Sequence, residues 1–146
     1  MTNPAAAEPD SRTVTCSFEV TEWDDQLYLE TPDGPAMAQV AVRKTFSGAV
    51  EGSSTARVLT AGGPGGRGYV ASERFEGTFE GRAGSFMMQH GGIGADGEDA
   101  FSFGSIVPGG GTGELAGLRG RVRFQHDDQG AVITFTITSG WVSPAR

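Results

Sequence analysis

Apolar residues recur at every second position along most of this chain, and no segment of useful length shows a helical period. Between residues 13 and 21, Val14, Cys16, Phe18 and Val20 share one side, while Thr13, Thr15, Ser17, Glu19 and Thr21 share the other. That alternation predicts a half-buried strand. Glu22-Trp23-Asp24-Asp25 breaks it: the acids read as a solvated loop, and Trp23 as a wall for a cavity mouth. Leu27, Tyr28 and Leu29 form a short extended piece, and Thr31-Pro32-Asp33-Gly34-Pro35 has the chemistry of a turn. A second strand is predicted over residues 36–47, with Ala38, Val40, Val42 and Phe46 on one face. Lys44 falls among them, and either snorkels to water from the strand end or reaches into a pocket. Residues 48–52 read as a turn or bulge. A third strand over residues 54–61 turns Ala56 and Val58 inward, and residues 62–68 read as a flexible connector.

The stretch from Tyr69 to Gly91 predicts one hairpin around which the rest is organised. Tyr69, Ala71, Glu73, Phe75, Gly77 and Phe79 alternate with Val70, Ser72, Arg74, Glu76, Thr78 and Glu80. A type II′ turn with Gly81 and Arg82 at its centre sets Phe79 opposite Gly84, Phe75 opposite Met88 and Glu73 opposite His90. Opposed residues point to the same side of a sheet, so a carboxyl and an imidazole share the face of Phe75, Phe79, Phe86 and Met88. An ionisable pair on an apolar face is either a satisfied buried pair or a catalytic or ligand-binding one. A three-residue loop would instead put Gln89 opposite Glu73.

Residues 91–97 read as another glycine-rich turn. Further strands are predicted over residues 100–107, with Phe101, Phe103 and Val107 on one face, and over 118–125, with Leu118, Val122 and Phe124 opposite Arg119, Arg121 and Arg123. Residues 114–118 make at most one helical turn. His126 to Gly130 reads as a hairpin loop, with His126 in solvent, and Ala131, Ile133, Phe135 and Ile137 form the inner face of the last strand. The arginine stripe reads as an outer face paired with acids such as Glu76 and Glu80. Evenly spaced short strands, about eight in all, predict an all-β fold, a barrel or a sandwich. Closure removes exposed strand edges and favours an eight-stranded antiparallel β-barrel, wide enough for one small ligand.

The chain has 146 residues, enough for one domain, here set at residues 13–140 between tails at 1–12 and 141–146, with Trp141 placed to cover a barrel end. Formal net charge is −7, which disfavours nucleic acid and anionic membrane surfaces as partners. A single cysteine, Cys16, excludes an internal disulfide and reads as a core residue. No apolar run reaches membrane-spanning length and the start carries no signal-peptide pattern, so a soluble cytoplasmic protein is expected.

Two strings imitate dinucleotide fingerprints: Gly63-Pro64-Gly65-Gly66-Arg67-Gly68 and Gly111-Thr112-Gly113-Glu114-Leu115-Ala116. Neither opens a helix whose N-terminus would bind pyrophosphate, so no nucleotide cofactor is expected. His90, His126 and one cysteine do not make a structural zinc site, so no metal is expected either. The stretch GTGELAGLRGRV from Gly111 to Val122 resembles one found in plant allene oxide cyclases and, more loosely, in dirigent proteins. The pieces GYVASERFEGTFEGRAGSFMMQHGG and VPGGGTGELAGLRG resemble the bacterial family DUF3224 more closely, a likeness that spans most of Val14 to Ile137. The resemblance implies an allene oxide cyclase-like, calycin-type barrel, with homo-oligomers among its expectations. In the cyclases resembled, a carboxylate stabilises charge while a folded lipid-derived epoxide closes a ring, and related bacterial barrels close rings in polyketide pathways.

The chemistry expected is cyclisation or isomerisation of an apolar, partly unsaturated small molecule. Its wall would be Phe75, Phe86, Met88, Phe101, Phe103 and Trp23. Glu73, raised in pKa by burial and tuned by His90, would be the acid or base, and Tyr69 a hydrogen-bond donor. A carrier of a hydrophobic metabolite and a scaffold with a filled interior remain the competing readings.

Overall fold

The computed structural model describes residues 11–127 and 130–138. They form nine antiparallel strands: β1 Arg12–Glu30, β2 Ala36–Gly48, β3 Val50–Gly63, β4 Gly66–Phe79, β5 Arg82–Ala95, β6 Phe101–Ile106, β7 Thr112–Gly113, β8 Gly120–Asp127 and β9 Gly130–Ile137. The pairings run β4-β3-β2-β1-β9-β8-β6-β5, and β4 pairs β5 in turn, so the sheet closes in a ring, with β7 attached to β5. Residues 1–10 of the expected tail 1–12, and all of the expected tail 141–146 with Trp141, lie outside the described residues, whereas Arg12 already belongs to β1.

Long strands replace several of the loops expected from sequence. β1 runs unbroken through Glu22-Trp23-Asp24-Asp25, because a bulge between Val20 and Glu22 absorbs the lost alternation. A bulge exchanges the two faces of a strand. Even-numbered residues therefore face inward up to Val20, and Trp23 and Leu27 take that side afterwards, opposite Val42 and Ala38. The glycine-rich run 62–68 is a hairpin with Pro64 and Gly65 at its tip, pairing Gly63 with Gly66, and is no flexible connector. Residues 91–95 continue β5.

The central hairpin turns one position earlier than expected. Glu80 and Gly81 form the two-residue loop, both at positive φ (52° and 83°), and Phe79 pairs with Arg82. Paired positive φ values suit a type I′ turn, whose twist matches that of the flanking strands. The register shifts by two residues, so Phe75 pairs with Phe86, Glu73 with Met88 and Ala71 with His90. A shift of two keeps every side chain on its face. Glu73 and His90 are diagonal neighbours, not direct partners, and both point inward and are buried.

One half of the ring is solid. Phe75, Phe79, Phe86 and Phe135 lie fully buried with ring centroids 5.0–6.2 Å apart in stacked and edge-on pairs. The motif stretch Gly111–Leu118 closes this end. β7 pairs Gly84 and Ser85 of β5, one turn follows, and Leu115 and Leu118 drop into the core. Gly84 is required there, because a Cβ would strike the carbonyl oxygen of Thr112 and press on Leu115. Neither nucleotide-like string opens a helix. Cys16 sits in the same core, and burial pushes its thiol pKa up to about 11.

Candidate functional site

The other half of the ring is hollow. A cavity of about 810 Å³ opens at the end formed by the β3–β4 hairpin, the last residues of β5 and the second half of β1. That volume is in the range of small-molecule sites. Its wall is mainly apolar, with Trp23, Leu27, Ala38, Val42, Ala56, Val58 and Phe101 among the lining residues. Polar side chains gather where the hollow meets the packed core.

Glu73 lies at the centre of that cluster, its side chain fully sealed from solvent. Its Oε1 accepts from Lys44 Nζ at 3.0 Å and from His90 Nε2 at 2.8 Å, and its Oε2 accepts from Ser54 Oγ at 2.6 Å. Three donors on one carboxylate favour its charged form. Burial alone pushes the Glu73 pKa up, but the His90 bond, the Lys44 charge and the Ser54 bond outweigh it, and the net shift is downward. The raised pKa expected from sequence is thus reversed, because the burial that would raise it comes with a complete set of donors.

Those bonds also fix the imidazole. With Nε2–H given to a carboxylate, the neutral ring leaves Nδ1 as an acceptor. Tyr69 Oη lies 3.0 Å from Nδ1 and donates to it. The Tyr69 pKa is raised by burial and by the nearby Glu73 charge, so the phenol keeps its proton at neutral pH. Lys44 Nζ stands 4.3 Å from the Phe124 ring centroid and 5.1 Å from that of Phe18, and the Phe124 and His90 rings lie 4.4 Å apart, tilted by 43°. Two aromatic faces and one carboxylate compensate the buried ammonium.

Lys44, Tyr69 and His90 line the cavity, and Glu73 stands behind them. Of the side chains expected to wall the cavity, Trp23 and Phe101 do so. Phe75, Phe86 and Met88 are fully buried in the packed half and do not reach it. Phe103 does not either: it faces outward, about half exposed, over Gly91, because Ile106 and Gly104 carry the inward phase of β6. Lys44 reaches inward where a snorkelling lysine was one reading. His126, expected in a solvent-exposed turn, sits on the inward phase of β8 with Phe124 and touches the cavity rim. Nothing in their residue type marks Ser54 and Arg67 as site residues, although each keeps phase with inward neighbours on its strand. The acids expected beside the arginine stripe are engaged elsewhere, Glu80 with Arg12 at 2.7 Å and Glu76 near Arg74 at 3.8 Å.

The fold is thus an all-β, closed antiparallel ring, solid at one end and hollow at the other, with a buried charged cluster at the divide. The chain belongs to the family described as "Protein of unknown function (DUF3224)", whose profile matches residues 14–138. It is similar to a solved structure of a DUF3224 protein of unknown function from Shewanella oneidensis MR-1. The two share 32% identity over 88% of this chain and 97% of that one, with a TM-score of 0.76. No match is found among curated proteins. No helix among the described residues is long and apolar enough to cross a membrane.

Proposed function

We propose that the ring is an eight-stranded calycin-type barrel, like the allene oxide cyclases, and that it isomerises or cyclises an apolar, partly unsaturated small molecule held in its cavity. The observation that carries this reading is a chain of hydrogen bonds, Tyr69 to His90 to Glu73, that begins on the cavity wall and ends on a buried carboxylate. Tyr69 is the group that meets the substrate. As its oxygen takes a proton from a carbon beside a carbonyl, its own proton passes to His90 Nδ1, and the imidazolium so formed rests against Glu73. The electron pair left by the C–H bond moves to the carbonyl oxygen, where Lys44 supplies positive charge. Returning the proton to a different carbon moves a double bond. Where the folded chain also carries an enone, the electron-rich carbon adds to its β-carbon, the C=C π pair shifts to the enone oxygen, and the proton held by Tyr69 and His90 returns to the enolate so formed, which closes a ring. Glu73 acts through His90 and is a positioning residue, not the base itself.

α-Tetralone, an apolar bicyclic ketone, tests the reading. Incubated in D₂O, it is expected to take up deuterium beside its carbonyl faster with the protein than without. Tyr69→Phe and His90→Gln are each expected to lower that rate by about a hundredfold or more. Exchange that persists unchanged in Tyr69→Phe would overturn the mechanism. A carrier is the second reading, favoured because Lys44, Ser54, Tyr69, Glu73 and His90 already satisfy one another. It is expected to give saturable binding of the ketone with no exchange.

A further inference from the structure

We infer that the ligand is an apolar organic anion whose charged group stays at the cavity mouth, on Arg67. This rests on the cavity being a binding site and adds the charge and orientation of what it holds. Eighteen residues of the chain are acidic, yet none of the described residues lining the cavity is Asp or Glu. Its ionisable lining groups are Lys44, Arg67, Tyr69, His90 and His126. Asp25, on the same side of β1 as Trp23 and Leu27, is exposed and does not line the hollow.

Lys44 is already paired with Glu73 beneath it, at 3.0 Å, and belongs to the polar floor. Arg67 differs: among the described residues it has no acidic partner, and the acids nearest in sequence, Glu73 and Glu76, pair with Lys44 and lie beside Arg74. It sits in the inward phase of β4, on the same row as Tyr69 and Glu73, at the hairpin that forms the mouth. A guanidinium there, in no ion pair among the described residues although Asp96 bonds the hairpin tip through its backbone N–H, adds positive charge at the entrance of a largely apolar hollow, in a protein whose net charge is −7. Ala71, which pairs with His90, lies four positions along the strand from Arg67. At about 3.3 Å per residue, roughly 13 Å of strand thus runs between the mouth and the polar floor. An elongated ligand would set its anionic group on Arg67 and present its far end to Tyr69 and His90.

Two fluorescent dyes with one aromatic body test this: 8-anilinonaphthalene-1-sulfonate, an anion, and N-phenyl-1-naphthylamine, its uncharged parent. The anion is expected to bind about tenfold more tightly than the parent, the scale of one charge-assisted hydrogen bond. That preference should disappear in Arg67→Gln, persist in Arg67→Lys, and shrink as salt is raised from 0.05 to 0.5 M, conditions that screen a rim charge. Equal affinity for both dyes, or a preference untouched by Arg67→Gln, overturns the inference and leaves the cavity reading intact. If neither dye binds, the cavity reading falls and this one with it.

Discussion

Glu73 shows how a single buried charge can be made tolerable. Removing a carboxylate from water costs several kcal/mol, which good geometry and a full set of hydrogen bonds must offset. Here Lys44, His90 and Ser54 supply that set. Glu73→Gln leaves the Lys44 ammonium without its counter-charge, and urea denaturation is expected to show a loss of about 3 kcal/mol. The pH dependence follows from the direction of the shift. A carboxylate whose folded pKa lies below its unfolded value of about 4.5 adds stability above that value and loses it as pH falls through the folded pKa. The wild-type protein should therefore lose stability in acid below about pH 4.5, and that limb should flatten in Glu73→Gln. An equally steep acid limb in the variant would show that Glu73 is not the group titrating.

At the level of elements, the closing segment Gly111–Leu118 and the hairpin β4–β5 are built for each other. Gly84→Ala forces a methyl against the Thr112 carbonyl and Leu115, and overpacking of this kind costs about 1–3 kcal/mol. A fall of several degrees in Tm is expected by calorimetry. Gly94→Ala, whose methyl would meet only the Ala100 side chain at 3.7 Å, should leave Tm within about a degree. Equal effects at the two positions would mean that this end of the ring is looser than its packing indicates.

The same elements show what was legible in the sequence. Alternation placed Glu73 and His90 on one inward face, and parity preserved that result when the turn moved by one residue. The raised pKa was not a sound expectation, because it counted burial without the donors of β2 and β3, which are distant in sequence. Trp23 was legible as a cavity wall, but the strand carrying it was not: a bulge looks like a loop when only period two is sought. Glycine-rich runs at 62–68 and 91–95 read as irregular because glycine marks turns, whereas here it lets long strands pass closely at the mouth. Apolar character alone points Phe103 inward, whereas the Ile106 phase of the same strand turns it out.

Across the whole molecule, the ring divides its labour along its axis. Aromatic packing and the closing segment hold one end, which leaves the other free to carry a hollow that contributes nothing to a solid core. A void of this size is not stabilising in itself, since lining atoms lose contacts on one side. Its persistence beside a well-packed half is the physical reason to read it as a site. Apolar side chains also lie exposed on the outer face, Leu59, Val70 and Phe103 among them. A hydrophobic probe therefore has two places to go.

A crystal structure of the protein soaked with N-phenyl-1-naphthylamine separates them most directly. The dye is expected inside the ring, between Trp23, Ala38 and Phe101, with its deep edge facing Tyr69 and His90. Dye found only on the outer face over Leu59 and Phe103, with the interior closed by rearranged side chains, would contradict the claim that this fold exists to hold a small molecule.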